Sequence, residues 1–317
     1  MEKFKFIDLF AGIGGFRIAF ESVGGECILT CEWDKHAIDT YKLNYLPNNN
    51  HVFAGDICAL PSQDIPDFDV LLAGFPCQPY SIAGYRDGLK DERGQVFFEV
   101  LRIIKDKQPR AILLENVKGL LNHDNGRTFA YILDELEKLG YSLKHQVLNS
   151  MTHANIPQNR ERVFIVGFKN PEAAEHFDFP KKVPLTKTIH DCLDNTTAKP
   201  NHIYDDRYEC FQEIKKAVTK SDTLYQWRRQ YVRENKSNAC PTLTANMGSG
   251  GHNVPLVLDA LHGIRKLTPR ECANFQGFPK TFKLPKEMAD SKLYHQFGNS
   301  VTVPLIAKIA KAMAKVL

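Results

Sequence analysis

Short apolar runs rich in β-forming residues alternate with helix-like patterns over the first 168 residues of the chain. The runs are Phe4–Phe10, Cys27–Cys31, Asp69–Ala73, Ala111–Glu115 and Arg162–Phe168. Between two of them, apolar positions recur at helical spacing over 129–139, and Gly140 follows as a typical helix end. This alternation predicts an α/β fold with a mostly parallel, doubly wound sheet and right-handed crossovers.

The pattern changes after Pro180, where proline, asparagine, threonine and lysine interrupt any long periodicity. We therefore expect a second, smaller and irregular domain over residues 181–287. We expect residues 1–180 together with 288–317 to form the first domain. The tail, 303–317, carries apolar residues at helical spacing between lysines, which predicts an amphipathic helix that packs on the core.

Composition narrows the class of protein only a little. The chain has 317 residues and a net charge of +4, which permits a polyanionic partner without requiring one. Its eight cysteines include no C-x-x-C pair, so we expect free thiols, no metal site and a cytoplasmic location. The first residues run directly into a strand pattern, and no segment has the pattern of a signal peptide or of a membrane span.

A glycine turn, Gly12–Gly15, follows the first predicted strand, where a ligand can approach the backbone closely. The dinucleotide spacing fails because Arg17 occupies the sixth position, which leaves a tight turn or a site for an adenosine ligand without a pyrophosphate. After the next run, Glu32 is placed to bind ribose hydroxyls and Trp33 to stack on a purine, although an acid here can also cap a helix. Asp56 is a further candidate or an ordinary turn aspartate.

A proline-cysteine turn follows the third run. Pro76 stiffens this turn and aims the thiol of Cys77, although a single cysteine is more often a small buried apolar residue. Glu115 ends a strand that is apolar enough to be buried on both faces, and a buried acid is costly unless it is paired or protonated. Because both residues face the carboxyl edge of one sheet, they predict a thiol nucleophile that works with an acid.

Two arginines, Arg160 and Arg162, precede the last strand of the first domain. In an extended chain residues two apart point to one face, where two guanidinium groups can hold a phosphate or a carbonyl oxygen. A solvated strand entry tied to Glu161 is the alternative.

Candidate nucleic-acid contacts lie in the second domain. Arg228 and Arg229 stand among aromatic residues, a mixture that contacts nucleic-acid backbones but also occurs on solvated strands. A glycine-rich loop that includes Gly250 and Gly251 follows, and it either tracks phosphates or is a plain flexible loop.

Eight short stretches, taken together and in order, resemble the bacterial cytosine-5 DNA methyltransferases of the type II restriction-modification type. They are Phe10–Gly15, Glu32–Trp33, Gly55–Ile57, Gly74–Gln78, Glu115–Val117, Gln158–Arg162, Arg265–Cys272 and Gln296–Val301. The resemblance covers nearly the whole chain. It implies a Rossmann-like S-adenosylmethionine-dependent methyltransferase sheet, a smaller target-recognition domain, and sequence-specific methylation of carbon 5 of a cytosine flipped from duplex DNA.

The resemblance also implies roles for individual residues. Cys77 is the nucleophile that adds to carbon 6, and Glu115 contacts ring nitrogen 3 and the exocyclic amine. Arg162 is similar to the arginine that holds the cytosine carbonyl, and Arg160 to its partner beside the thiol. The residues implied around the cofactor, S-adenosylmethionine, are Phe10, Gly12, Gly14, Gly15, Glu32, Trp33, Asp56, Ile57, Asn299 and Val301.

Further implied contacts concern DNA. Residues 78 to about 95 resemble the loop that closes over DNA, which makes Gln78 and Ser81 DNA-binding candidates. Ala83 stands where some relatives carry a serine. Thr242 matches an element that approaches the DNA backbone near the flipped base. The implied partners are double-stranded DNA and a cognate restriction endonuclease, for a monomer with no membrane association.

Three rival functions fit the same residues less well. The related tRNA cytosine methyltransferases tend to carry Cys-Phe-Thr, whereas this chain has Cys210, Phe211 and Gln212. An inactive DNA-binding module has no need of Cys77 and Glu115. A cysteine hydrolase needs a positioned histidine, and no motif here would position one.

Overall fold

The structure is a computed structural model that describes residues 3–45, 51–76, 92–235, 237–251 and 253–317. Its strands are β1 (Phe4–Leu9), β2 (Gly25–Cys31), β3 (Val52–Ala54), β4 (Val70–Gly74), β5 (Ala111–Val117), β6 (Ser142–Asn149), β7 (Gln158–Asn159), β8 (Glu161–Phe168), β9 (Tyr225–Trp227), β10 (Val232–Glu234), β11 (Cys240–Pro241), β12 (Leu256–Asp259) and β13 (Gly263–Lys266). Its α-helices are α1 (Gly15–Glu21), α2 (Lys35–Asn44), α3 (Glu92–Lys107), α4 (Arg127–Lys138), α5 (Ser150–Ala154), α6 (Pro171–His176), α7 (Phe211–Ala217), α8 (Pro269–Phe275), α9 (Asp290–Asn299) and α10 (Val303–Met313).

Seven strands form the main sheet in the order β3-β2-β1-β4-β5-β8-β6. The first five pair in parallel, and β8 runs antiparallel to both of its neighbours. The predicted α/β sheet is therefore confirmed, and the five predicted strands are present with ends shifted by one or two residues. Two further strands are not among the five predicted, because β3, although apolar, has only three residues and the edge strand β6 is mostly polar and partly exposed.

The main sheet separates two hydrophobic cores. Phe4 and Phe6 of β1 lie on the face covered by α1 and α10, whereas Ile7 and Leu9 lie on the face covered by α3 and α4. The helix predicted over 129–139 is α4, and Gly140 follows it with a φ of 84°. The helix predicted for the tail is α10, and its apolar side packs on the core as expected.

The region after residue 180 has short elements around a second, antiparallel sheet in the order β10-β9-β12-β13. Its own core is small and includes Tyr225 and Trp227. Helix α8 and the segment after it share a third cluster with Ile13 and Ala37, so residues 267–284 pack against the first part of the chain. Among the helices in the described ranges, none is long and apolar enough to cross a membrane.

Candidate active site

The turn between β1 and α1 has the backbone geometry that its glycines predict. Gly12 and Gly14 have φ values of 55° and 83°, in the left-handed region that side chains disfavour, and Phe10 shares this region with a φ of 58°. A methyl group added to Gly12 would meet no atom of the described residues within 4 Å, so the described part of the chain leaves the turn open on that side. The backbone of this turn is therefore accessible to a ligand.

A tyrosine that the sequence did not single out supports the turn from behind. The hydroxyl of Tyr45 donates to the carbonyl of Gly14 at 2.9 Å. A methyl group on Gly14 would lie 2.4 Å from the hydroxyl oxygen of Tyr45. The guanidinium of Arg17 stacks 4.6 Å from the centre of the Tyr45 ring and donates to the hydroxyl of Tyr41. Arg17, which breaks the dinucleotide spacing, thus positions the aromatic support of the turn.

Glu32, at the end of β2, joins two turns through its carboxylate. One oxygen accepts from the amide of Gly12 at 2.7 Å, and the other accepts from the amides of Trp33 and Asp34 at 2.9 and 2.8 Å. Burial raises the pKa of Glu32, although these three amides favour the charged form. Asp34 caps α2 by accepting from the amide of Ala37, which is the capping role that the sequence allowed.

The remaining residues of the predicted cofactor pocket line the same edge. Trp33 is 80% exposed, so its ring offers a free apolar face. Asp56 caps a short 3-10 turn, and Ile57 behind it is buried. A methyl group on Gly15 would lie 2.8 Å from the side chain of Val301, which brings the start of α10 against the glycine turn. Asn299, at the end of α9, is exposed and contacts His295.

Glu115 and Arg162 form an ion pair where β4 and β5 end. The Nε atom of Arg162 lies 3.0 Å from Oε1 of Glu115, and the two side chains are only 14% and 12% exposed. In the strand register Glu115 stands opposite Gly74, and the side-chain Nδ2 of Asn116 donates to the carbonyl of Phe75 at 3.0 Å. Burial raises the pKa of Glu115 even though Arg162 and Arg160 lower it.

The segment that carries the predicted nucleophile follows β4 in the chain, and the last residue of β4, Gly74, stands opposite Glu115. Cys77, Gln78 and Ser81 lie outside the described residues, as does most of the predicted loop. Helix α3 begins at Glu92, so the end of that loop, which was placed at about residue 95, is helical instead. The structure therefore positions the residues that lead to the thiol and the acid beside them.

Arg160 is buried and engages backbone rather than solvent. Its side chain is 2% exposed, and its two Nη atoms donate to the carbonyls of Leu243, Gly298 and Ser300. The interpretation of a solvated strand entry is therefore wrong for Arg160. Its expected position beside the thiol stays a prediction, because Cys77 is outside the described residues.

The candidate DNA-binding residues lie on turns of the second region. Arg228 and Arg229 are exposed in the turn between β9 and β10, where Arg229 has a φ of 65°. The hydroxyl of Thr242 donates to the carbonyl of Asn159 at 2.6 Å, which ties this residue to the strand end that carries Arg160. Gly250 and Gly251 end a 3-10 segment, Ala245–Gly251, so this part of the predicted flexible loop is regular.

Comparison with known proteins agrees with this geometry. A family model described as C-5 cytosine-specific DNA methylase matches residues 4–315. The chain is 52% identical over 311 residues to the type II methyltransferase M.Bsp6I of Bacillus sp. (strain RFL6), with 97% of each chain covered. It is 46% identical over 316 residues to the type II methyltransferase M.DsaV of Dactylococcopsis salina, which covers 99% of this chain and 87% of that one.

A solved structure shares the fold at low sequence identity. The crystal structure of the S. pombe Dnmt2 methyltransferase matches with a TM-score of 0.74 and 19% identity, and 98% of each chain is covered. The family match spans nearly the full chain. The chain therefore belongs to the family of C-5 cytosine-specific DNA methylases and is a DNA methyltransferase that uses S-adenosylmethionine.

Proposed function

We propose that Cys77 is the covalent nucleophile of this methyltransferase and that Glu115 and Arg162 bind the flipped cytosine. The observation that supports the proposal most directly is the buried ion pair of these two residues opposite Gly74, three residues before the thiol. The pair presents a carboxyl group and a guanidinium group side by side. These are the groups that suit the polar edge of a cytosine, which offers a ring nitrogen, an amine and a carbonyl.

The proposed reaction balances without any further reagent. The Cys77 thiolate forms a bond to carbon 6, and the electron pair of the 5,6 double bond moves to carbon 5. Bound S-adenosylmethionine would supply an electrophilic methyl group to carbon 5, with the bond between its sulfur and the methyl group broken and S-adenosylhomocysteine as the leaving group. A base then removes the carbon 5 proton, the bond between sulfur and carbon 6 breaks, and the thiolate is restored.

Glu115 serves this reaction through its proton. Because burial raises its pKa, the carboxyl group holds a proton at a higher pH than a free glutamate does. That proton can be shared with ring nitrogen 3 as the thiolate adds, which limits the negative charge on the ring. Arg162 holds the Glu115 carboxyl group in place and donates to the cytosine carbonyl.

The cofactor pocket fits a nucleoside that carries an amino-acid tail. The open side of Gly12 admits the tail, the Glu32 carboxylate has lone pairs free for ribose hydroxyls, and Trp33 offers a ring for adenine. Phe10, Gly14, Gly15, Asp56, Ile57, Asn299 and Val301 complete the proposed pocket. These contacts hold the methyl donor at the carboxyl edge of the sheet, next to Glu115.

The remaining parts of the proposal concern DNA and the cell. Arg228, Arg229, Thr242, Gly250 and Gly251 contact the duplex, and Gln78 and Ser81 close over it. Residues 181–287 act as the target-recognition domain. The enzyme works as a cytoplasmic monomer, and its methylation protects host DNA from a cognate restriction endonuclease.

A methyl-transfer assay tests the reaction. We expect labelled S-adenosylmethionine to methylate unmethylated duplex DNA, Cys77→Ser to abolish transfer, and the control Cys210→Ser to retain it.

DNA that contains 5-fluorocytosine should trap a covalent adduct, because fluorine blocks the final elimination. Full transfer by Cys77→Ser refutes the nucleophile, and preference for tRNA refutes the substrate. Methylation mapping of DNA from cells that express the gene gives the target sequence.

A further inference from the structure

The guanidinium of Arg160 joins two segments that are distant in sequence and that belong to different proposed sites. Nη1 donates to the carbonyl of Leu243 at 2.7 Å, next to the proposed DNA contact Thr242. Nη2 donates to the carbonyls of Gly298 and Ser300 at 3.1 and 2.7 Å, on either side of Asn299 of the proposed cofactor pocket. One buried side chain therefore holds the backbone of both sites.

Two buried glutamines extend this link. Gln158 accepts from the amide of Leu243 at 3.2 Å and donates to the carbonyl of Phe275 at 2.7 Å. Gln276 donates to the carbonyls of Phe297 and Ser300 at 2.6 and 3.2 Å. These hydrogen bonds are costly to break, because buried carbonyl groups that lose their donors would stay unsatisfied.

The two segments also touch each other directly. A methyl group on Gly298 would lie 2.1 Å from the carbonyl carbon of Thr244, so glycine is required for the backbones to approach this closely. On the other side, Ser300 and Val301 pack on Gly15 of the glycine turn. A continuous chain of contacts thus runs from the cofactor turn to the entrance of the recognition region.

We propose that Arg160 is a positioning residue that couples cofactor binding to DNA binding. Binding at one site affects binding at the other only when an element between them responds to both ligands. Arg160 meets this condition, since a shift of the Gly298–Ser300 turn changes the donors available to Leu243. The proposal rests on the assignment of Asn299 and Thr242 made under the proposed function.

Arginine is suited to this role and lysine is not. The planar guanidinium presents diverging donors in a fixed geometry, whereas an ammonium group is a single compact centre. Arg160→Lys keeps the positive charge and the alkyl stem but cannot reach three carbonyls in these directions. This variant therefore weakens the link without leaving the site uncharged.

Paired binding measurements test the coupling. We define the coupling ratio as the Kd of the cognate duplex alone divided by its Kd with saturating S-adenosylhomocysteine, which allows no turnover. We expect about 10 for the unchanged enzyme, within the usual range of coupling between sites. For Arg160→Lys we expect a ratio below about 2, with each Kd measured alone changed less than about threefold. Arg270→Lys is the control, since among the residues that the structure describes Arg270 donates only to the carbonyl of Phe282.

The outcomes separate the two proposals. An unchanged enzyme that neither methylates DNA nor binds S-adenosylhomocysteine refutes the proposed function. An unchanged enzyme that methylates DNA and binds S-adenosylhomocysteine but has a coupling ratio of one refutes the coupling alone. An Arg160→Lys variant with the full coupling ratio does the same. If Arg160→Lys does not fold, Gln276→Met carries the test, because it removes the donor to the carbonyls of Phe297 and Ser300 and the acceptor for Gln158 and Thr302 while leaving Arg160 in place. An unchanged ratio in that variant also overturns the coupling.

Discussion

The main sheet and the region after residue 180 position their proposed functional residues by different means. In the main sheet, Glu32, Glu115 and Arg162 stand at strand ends, and their side chains are largely buried and held by backbone amides or by each other. In the later region, Arg228 and Arg229 stand on an exposed turn between two three-residue strands. The first arrangement gives precise geometry, and the second gives access to a large ligand.

This difference indicates a division of labour. Chemistry on a cytosine ring needs groups held to within a fraction of an ångström, which packed strand ends provide. Recognition of a long, regular polyanion needs charge that reaches outward, and exposed turns provide this. Changes in the two regions should therefore alter different kinetic constants.

The largest effect is expected for Glu115→Gln, which keeps the shape of the side chain but removes its acid. We expect kcat to fall by about 10²–10⁴-fold, because a positioned acid contributes that much, while the Kd for DNA changes little. Single-turnover kinetics and gel-shift binding measure the two quantities. The control is Glu135→Gln on the outer face of α4, where the carboxylate pairs only with Lys138 among the described residues. Equal losses of kcat and DNA affinity would contradict the division of labour.

The double change Arg228→Ala with Arg229→Ala should have the opposite signature. We expect the KM for DNA to rise by about tenfold with kcat nearly unchanged. The slope of log affinity against log salt should fall by about 1.8, because each lost phosphate contact accounts for about 0.9. Arg207→Ala, an exposed arginine paired with Asp205, is the control for loss of charge. A large loss of kcat would show that this turn also positions the reacting groups.

A smaller effect is expected for Tyr45→Phe, which tests whether the precision of the main sheet extends to residues behind the pocket. The change removes the hydroxyl that donates to the carbonyl of Gly14 at 2.9 Å and lies 3.4 Å from the carbonyl of Ile13, so the Kd of S-adenosylmethionine should rise about fivefold, the equivalent of about 1 kcal/mol. Quenching of tryptophan fluorescence measures this binding. Tyr231→Phe, at an exposed tyrosine of the β9–β10 turn, should change nothing. An unchanged Kd in Tyr45→Phe would show that the glycine turn holds its shape unaided.

A separate effect, on stability and not on activity or binding, concerns the buried carboxyl of Asp8 in β1. Both of its oxygens lack a hydrogen-bond partner in the described part of the chain, and burial raises its pKa well above the usual value. The stability that this raised pKa provides is present below the ordinary carboxyl pKa and is lost as pH rises through the raised value. The free energy of unfolding of Asp8→Asn at pH 8 should therefore exceed that of the unchanged enzyme by about 1–2 kcal/mol, so the variant unfolds at a higher temperature. This difference should disappear towards pH 4.

Thermal unfolding between pH 4 and pH 8 checks this prediction, with Asp178→Asn at an exposed site as the control. A variant that is less stable than the unchanged enzyme at pH 8 would show that Asp8 is charged and stabilised by Arg17. In that case even the regular part of the molecule depends on a buried charge.

The sequence by itself determined the regular part of this protein. Apolar runs and helical spacing predicted the strands around β4 and β5 and the helices α4 and α10, because these elements follow from local periodicity. The glycines of the first turn and the acid at the end of β5 were recognisable because their residue types are unusual where they stand. The order of the short motifs then indicated the family, and the comparisons confirmed it.

Only the tertiary structure decided how those residues are supported. Tyr45 lies behind Gly14, Arg160 holds the carbonyls of Leu243 and Ser300, and Gly298 meets Thr244, over separations of about 30 to 140 residues. Such contacts leave no periodic signal, because any buried donor can satisfy any carbonyl that the fold brings near it. Which partner each side chain finds is fixed by packing of the whole chain and not by its neighbours in sequence.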